Sequence, residues 1–304
     1  MSSHAKATAE ALCEALPHVQ RWAGRTVVVK YGGSAMVSDE LSDAVMQDVV
    51  LLSAVGVRVV LVHGGGNAVS EMGRRLGLEA VFVDGLRVTD EPTMRVAQQV
   101  QVGGISRDIV AAMARRGGRA VGLSGHDGGG WLRARRRQHI SRETGAEVDL
   151  GRVGDVTAVD TRLLLGLLGM GIIPVVAPVA VDDEQASLNV NADSVANAVA
   201  EALRADRLLF LTDVAGIRGP AGEVAAVATV SELRAWISSG AISGGMIPKA
   251  EACFSAIEAG VGGVTVADGR VPHAVLIELL TDAGVGTMVV PDPVAAGSAA
   301  QDLP

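Results

Sequence analysis

Along this chain, short unbroken apolar runs alternate with longer stretches in which apolar residues recur every three or four positions. The short runs predict strands over Thr26–Lys30, Arg58–His63, Ala120–Leu123, Ile172–Val176, Leu208–Thr212, Gly263–Val266 and Thr287–Val290. The longer stretches predict helices over Asp39–Val55, Asn67–Leu76, Glu91–Arg116, Thr157–Gly169, Ala192–Leu203, Val230–Ser239, Met246–Ala259 and His273–Thr281. Short hairpins fill Val81–Val88 and Trp131–Asp149. Strand-helix alternation of this kind predicts an α/β fold with a mostly parallel sheet. No long linker interrupts the pattern, so any two lobes must be closely joined. Leu163–Val181 carries no charged residue and is nearly long enough to span a bilayer, but glycines and prolines break it. It reads as a helix end, a turn at Gly169–Gly171 and a buried strand. The small polar tail from Ala295 to Pro304 is expected to fray.

Two of the strands end in glycine loops. Thr26–Lys30 runs into Tyr31-Gly32-Gly33-Ser34, and Arg58–His63 runs into Gly64-Gly65-Gly66-Asn67. Glycines let backbone N–H groups approach an anion closely, and Lys30 adds a point charge. One βα unit separates the loops, so they would lie side by side at the carboxyl edge of a parallel sheet, where such sheets bind ligands.

Composition narrows the functions further. Hydrophobic residues make up 49% of the 304 positions and aromatics only 2%, so Val, Leu, Ile and Ala must build the core. A formal charge of −8 argues against nucleic acid as a partner. The basic run Arg133–Arg137 reads as a solvated hairpin rather than a phosphate site. Cys13 and Cys253 are far apart, and the six histidines form neither a metal-ligand nor a triad spacing. Lys6, Glu10 and Glu14 interrupt the N-terminal apolar positions, which excludes a signal peptide. A cytoplasmic protein without a membrane partner is expected. Ala5, Ala9, Leu12 and Leu16 form a stripe at helical spacing that must bury against its own domain or another subunit.

Several polar clusters follow apolar runs. In Asn189-Val190-Asn191-Ala192-Asp193, Asn191 is a good helix N-cap, and Asp193 falls in the first turn where the helix dipole favours a carboxylate. Asp213, after Leu211-Thr212, either faces a nucleotide or makes an Asx turn. In Gly244-Gly245-Met246-Ile247-Pro248-Lys249, a lysine sits near a helix N-terminus, where a cation is unfavourable unless an anion is present. Arg87, in Gly85-Leu86-Arg87-Val88-Thr89, suits a substrate carboxylate or a salt bridge to Asp84 or Asp90.

Taken in order, Lys30-Tyr31-Gly32-Gly33, His63–Gly66, Gly85–Thr89, Asn189–Asp193 and Gly244–Lys249 resemble the motifs of the amino acid kinase family, over roughly Leu12 to Val290. The wording is most similar to members that phosphorylate N-acetyl-L-glutamate in arginine biosynthesis. The resemblance implies a three-layer αβα sandwich around a mostly parallel sheet. It also implies an N-terminal helix extension (1–24), an acetylglutamate-binding lobe (25–190) and an ATP-binding lobe (191–304). It places Lys30 and Lys249 on the transferring phosphoryl group, with Asp193 holding both and Gly33 donating a backbone N–H. Acetylglutamate falls to Gly65, Gly66, Arg87 and Asn189. ATP falls to Lys30, Thr212, Asp213, Gly245 and Lys249, with Mg²⁺ carried by the nucleotide and no dedicated protein ligands. His126 stands where lysine is expected and Asn67 where proline is usual, which puts substrate affinity in question.

A side-chain carboxylate is already ionised at neutral pH, with an ordinary pKa of about 4.3, so this chemistry needs no general base. The absence of a histidine or cysteine constellation fits that. Other readings are a relative acting on carbamate or aspartate, a non-catalytic amino-acid sensor on the same fold, and a Rossmann dehydrogenase. The last lacks G-x-G-x-x-G after the first strand. Arginine-inhibited family members share an N-terminal helix ahead of the first strand. The resemblance therefore implies L-arginine as an inhibitor, with His18, His273, Glu278 and Gly286 as effector residues. It also implies a homohexamer built as a trimer of dimers through the N-terminal helix.

Overall fold

The computed structural model describes residues 3–36 and 38–293, so the predicted tail from Ala295 lies outside the described residues. A helix α1 (Ser3–Trp22) leads into β1 (Thr26–Tyr31), α2 (Asp39–Ala54), β2 (Arg58–His63), α3 (Gly66–Arg75) and the small hairpin β3 (Phe82–Val83) and β4 (Leu86–Arg87). Then come α4 (Glu91–Gln98), a π-helical segment Gln99–Ile105, α5 (Ser106–Ala114), β5 (Ala120–Leu123), β6 (Leu132–Ile140), β7 (Glu147–Val159), α6 (Thr161–Gly169), β8 (Ile173–Val176), β9 (Val179–Val181) and β10 (Ser187–Val190). The chain finishes with α7 (Ala192–Leu203), β11 (Arg207–Thr212), β12 (Val227–Thr229), α8 (Val230–Ser238), α9 (Met246–Glu258), β13 (Val264–Asp268), α10 (Ala274–Leu280) and β14 (Gly286–Val290).

Eight strands form the central sheet in the order β12-β14-β13-β11-β1-β2-β8-β5. All neighbours are parallel except β13 and β14. The sheet is covered on both faces, which is why its central strands are unbroken apolar runs. Val28, Val60, Val62 and Phe210 point into one core with Val195, Val199, Ala250 and Cys253 of α7 and α9. Val27, Val29, Leu61 and Leu209 point into the other with Val45, Val49 and Leu52 of α2, Met113 of α5 and Val275 of α10. The result is the three-layer αβα arrangement.

The structure differs from the pattern-based reading at several places. The hairpin expected to end at Asp149 continues to Val159, so Thr157–Val159 is strand, not helix. The helix starts only at Thr161, because Asp160 accepts a hydrogen bond from Arg162 N–H and caps it. Strands β6, β7, β9 and β10 close into a small barrel, with register shifts in the β6–β7 pair that interrupt the period-two signal. The predicted helix Glu91–Arg116 is broken by the π-helical segment around Gly103-Gly104. Finally, α1 runs through Pro17 and ends on the buried Trp22. Among the described residues no helix is long and apolar enough to cross a membrane, and Leu163–Val181 resolves into α6, β8 and β9.

Candidate active site

Strands β1 and β2 pair in register from Thr26–Arg58 to Tyr31–His63, so their glycine loops leave the sheet at the same level. Gly64 N–H donates to Tyr31 O at 2.7 Å. The loops touch: a Cβ on Gly32 would lie 3.4 Å from Gly64 Cα and 3.3 Å from Lys30 Nζ. Gly33 has φ of 57°, a conformation side chains disfavour. Gly65 is the N-cap of α3 and offers no side chain to cap it, so no cap side chain occupies this helix end. The π-helical turn explains why residue 65 is glycine, since a Cβ would meet Ile105 Cδ1 at 2.8 Å and Gln101 Cγ at 3.1 Å. His63 is fully buried beneath this loop, with Nδ1 2.8 Å from Gly64 O, and burial pushes its pKa down to about 4.

Lys30 leaves the end of β1 and places Nζ 2.9 Å from Asp193 Oδ1. Lys249, from the first turn of α9, places Nζ 3.9 Å from Asp193 Oδ2. One carboxylate therefore faces both ammonium groups. Asp193 is itself fixed, since Asn191 caps α7 by accepting Asp193 N–H at 2.7 Å and Ser194 N–H at 3.4 Å. Asn197, one turn further along α7, donates to Ala252 O of α9 at 3.0 Å and ties the two helices together. Neither α9's N-cap Gly245 nor its first turn supplies an acidic or capping side chain. Two cations thus converge on one carboxylate beside the glycine turn that opens α9, an arrangement suited to a polyanion.

Arg87 projects from β4 and donates through Nη2 to Gly66 O at 2.8 Å and Ser70 Oγ at 2.7 Å. Its guanidinium lies 4.7 Å from the Phe82 ring centre. Neither salt bridge open to it from the sequence is made. Asp84 is engaged with His139 and Arg142 N–H, and Asp90 caps α4 through Thr93 N–H. Burial lowers the pKa of Arg87, so this guanidinium without a carboxylate partner favours an anionic ligand. Asn189 on β10 donates to Thr89 Oγ1 at 3.2 Å, and Thr89 donates to Arg87 O at 2.9 Å. Thr89 is fully buried and connects the two, a role its sequence position alone does not announce. Of the two departures, Asn67 lies exposed in the first turn of α3, and His126 contacts Gln185 O and Ser187 Oγ at the start of β10.

On the other side of the lysines, a cavity of about 380 Å³ is lined by Asp213–Gly216, Ala241–Ser243, Met246 and Arg270. Thr212 Oγ1 accepts Val214 N–H at 3.1 Å and shapes the turn that presents Asp213. Gly244, with φ of 58°, precedes Gly245 at the cavity's edge. Among the described residues no three His, Cys, Asp or Glu side chains gather as a metal-ligand set.

The effector candidates lie elsewhere, around α1, α10 and the β13–β14 pair. His18 Nε2 is 3.7 Å from Asp282. His273 starts α10 with φ of 59°, its Nδ1 2.6 Å from the buried Asp48. Glu278 accepts from Thr265 Oγ1 at 2.8 Å and Val285 N–H at 3.2 Å, and already faces the Arg207 guanidinium at 3.6 Å. Gly286 pairs with Ala267, and a Cβ there would collide with Val266 O. Arg207 in turn lies 5.4 Å from the Trp22 ring, which connects this region to the end of α1. In the basic run, Arg133 and Arg137 pair with Asp183 and Asp155 on an exposed stretch of β6.

The sequence profile of the amino acid kinase family matches residues 25–268. Acetylglutamate kinase of Symbiobacterium thermophilum is 50% identical over 85% of this chain and 89% of its own. Acetylglutamate kinase of Heliobacterium modesticaldum is 46% identical over 81% of this chain and 85% of its own. Among solved structures, N-acetylglutamate synthase from Neisseria gonorrhoeae, complexed with coenzyme A and N-acetyl-glutamate, superposes with a TM-score of 0.82 at 26% identity. That match covers 94% of this chain, which spans 64% of the synthase's length. Carbamate kinase from Giardia lamblia shares the fold, with a TM-score of 0.62 at 17% identity over 89% of this chain and 99% of its own.

Proposed function

Because this chain belongs to the amino acid kinase family, we infer that it transfers the γ-phosphoryl group of ATP to the side-chain carboxylate of N-acetyl-L-glutamate, the acetylglutamate kinase step of arginine biosynthesis. The product is N-acetyl-L-glutamyl 5-phosphate. The observation that carries the chemistry is the single Asp193 carboxylate facing Lys30 and Lys249 above two touching glycine loops.

In this reading a carboxylate oxygen of acetylglutamate attacks the γ-phosphorus, the bond to the β-phosphate oxygen breaks, and ADP leaves with the electron pair. No proton is lost from the nucleophile, so no base is required. What must be overcome is repulsion between a carboxylate and a triphosphate. Lys30 and Lys249 lie on the transferring group and meet the charge that shifts to the bridging oxygen, while Asp193 keeps the two ammonium groups from splaying apart. Gly33 donates a backbone N–H to the same centre. Gly65, Gly66, Arg87 and Asn189 hold acetylglutamate, with Arg87 on a carboxylate. Thr212, Asp213 and Gly245 border the nucleotide in the cavity beside α9. A metal ion accompanies ATP in kinases of this type. We assign it as Mg²⁺, which would take most of its ligands from phosphate and water and would screen the phosphate charge.

Residues 25–190 form the acetylglutamate lobe and 191–304 the ATP lobe, with 1–24 as an extension that joins dimers into a hexamer. L-Arginine inhibits by binding between α1 and the lobe carrying Glu278. The enzyme works in the cytoplasm.

The test is a coupled ADP-release assay across acetylglutamate, glutamate, aspartate and carbamate, with hydroxylamine trapping the acyl phosphate as a hydroxamate. Turnover of acetylglutamate with hydroxamate formation is expected. Turnover of free glutamate with none of the acetylated form would overturn the reading.

A further inference from the structure

The hairpin that carries Arg87 is slight. Each of its strands has two residues, and its outer residues Val81 and Phe82 are exposed. Asp84 and Gly85 form its two-residue turn with φ of 50° and 81°, the left-handed geometry such a turn requires. Asp84 does more than turn the chain. Its Oδ2 accepts Arg142 N–H at 2.9 Å and lies 2.7 Å from His139 Nε2. Both partners belong to the far end of the β6–β7 hairpin, and the two side chains are largely shielded, at 11% exposed for His139 and 15% for Asp84. The Arg142 N–H, then His139, hold the Asp84 carboxyl below the ordinary aspartate value, so it is ionised and can only accept. His139 Nε2 must therefore carry the proton.

We propose that Asp84 and His139 form a positioning pair that sets Arg87 over the acetylglutamate site. From the turn, the hairpin returns through Leu86 to Arg87, whose guanidinium then reaches Gly66 O and Ser70 Oγ on α3. The β3–β4 hairpin is thus pinned at its tip by Asp84 and at its other end by Thr89, whose N–H donates to Leu150 O at 2.9 Å. Releasing the tip frees the strand that aims Arg87, whereas Lys30, Asp193 and Lys249 stand on other elements. The pair therefore governs affinity for acetylglutamate and leaves phosphoryl transfer alone. This inference rests on the reading of Arg87 as a contact to acetylglutamate.

The experiment compares Asp84→Gly, which keeps a turn with positive φ and deletes the tether, with His139→Ala and His139→Gln. Each loss variant should raise KM for acetylglutamate roughly three- to tenfold, as expected for losing a charge-assisted hydrogen bond, with KM for ATP and kcat unchanged. His139→Gln, whose amide N–H stands near the position of Nε2, should restore most of the affinity. In an Arg87→Ala background neither loss variant should add anything. Unchanged KM in Asp84→Gly and His139→Ala, a parallel loss of kcat and ATP affinity, or an undiminished effect in the Arg87→Ala background would each overturn the pair's role. Arg87→Ala with normal KM for acetylglutamate would instead overturn the reading of Arg87, and the proposal with it.

Discussion

Lys30 Nζ lies 2.9 Å from Asp193 Oδ1, so one carboxylate oxygen orients the cation at the end of a central strand. Lys249 approaches the other oxygen of the same carboxylate at 3.9 Å. Each ammonium is assigned to charge that develops during transfer, so its loss should act on kcat. Lys30→Ala and Lys249→Ala are each expected to lower kcat by about 10²–10³ with smaller changes in either KM. Steady-state kinetics with both substrates checks this. Near-normal kcat in Lys30→Ala would remove it from the reacting centre.

The buried Thr89 hydroxyl joins the two residues assigned to acetylglutamate, accepting from Asn189 and donating to Arg87 O. Thr89→Val keeps the shape and removes both bonds. The expected result is a rise of roughly tenfold in KM for acetylglutamate, in line with about 1–3 kcal/mol for stranding a buried polar partner. The fall in kcat should be small. A titration of acetylglutamate at saturating ATP decides it.

The strands of the central sheet were legible because burial on both faces demands unbroken runs such as Val27–Val29 and Val59–Val62. The glycine loops were legible for a related reason: where two backbones touch, as at Gly32 and Gly64, no side chain fits. The barrel was not. Its strand β7 has glycines at 151 and 154 and a partner whose register shifts twice, so alternation never accumulates. The π-helical segment keeps helical composition and changes only its hydrogen bonding, leaving Gly103-Gly104 as the sole hint. The reach of Asp84 to His139 is a tertiary fact, since the two lie on different hairpins that local pattern cannot bring together.

His63 gives the fold a pH dependence. Burial pushes its pKa to about 4 from an ordinary 6.5, so the folded chain keeps it neutral while the unfolded chain protonates it. Its contribution to stability is complete above pH 6.5 and is lost as the pH falls from there through 4, roughly 3 kcal/mol over the whole interval. Asp48 works the other way. Burial raises its carboxyl above the ordinary value, which favours folding at low pH and is lost as the pH rises. The wild-type slope is the net of these and of the other shifted carboxylates, Asp160 and Asp268 among them, so the comparison with His63→Gln isolates the histidine. Guanidinium unfolding between pH 7 and pH 4.5 should show a shallower loss of stability in the variant. Equal slopes in the two proteins would exclude His63 as the source.

Helix α1 divides into an exposed first part and a buried end. Residues 5–14 are exposed throughout, with Leu12 at 69% and Leu16 at 51%, whereas Trp22 is only 5% exposed and packs in the core that contains Val27 and Val29. The apolar stripe is therefore uncovered within this chain, while the helix's end is part of the fold. A deletion through residue 22 would confound assembly with folding, because loss of a buried tryptophan costs about 3–5 kcal/mol and Arg207 would lose the ring beside it. Deleting residues 1–16 separates the two. The shortened enzyme should keep its kcat and melt near the full-length protein. On the proposed assembly and effector site it should sediment as a dimer rather than a hexamer and lose inhibition by arginine, since a site between α1 and the Glu278 region would need the helix held in place. Sedimentation velocity and an arginine titration read the two outcomes separately. A shortened chain that remained hexameric and fully arginine-sensitive would rule out the stripe as both the assembly contact and the regulatory link.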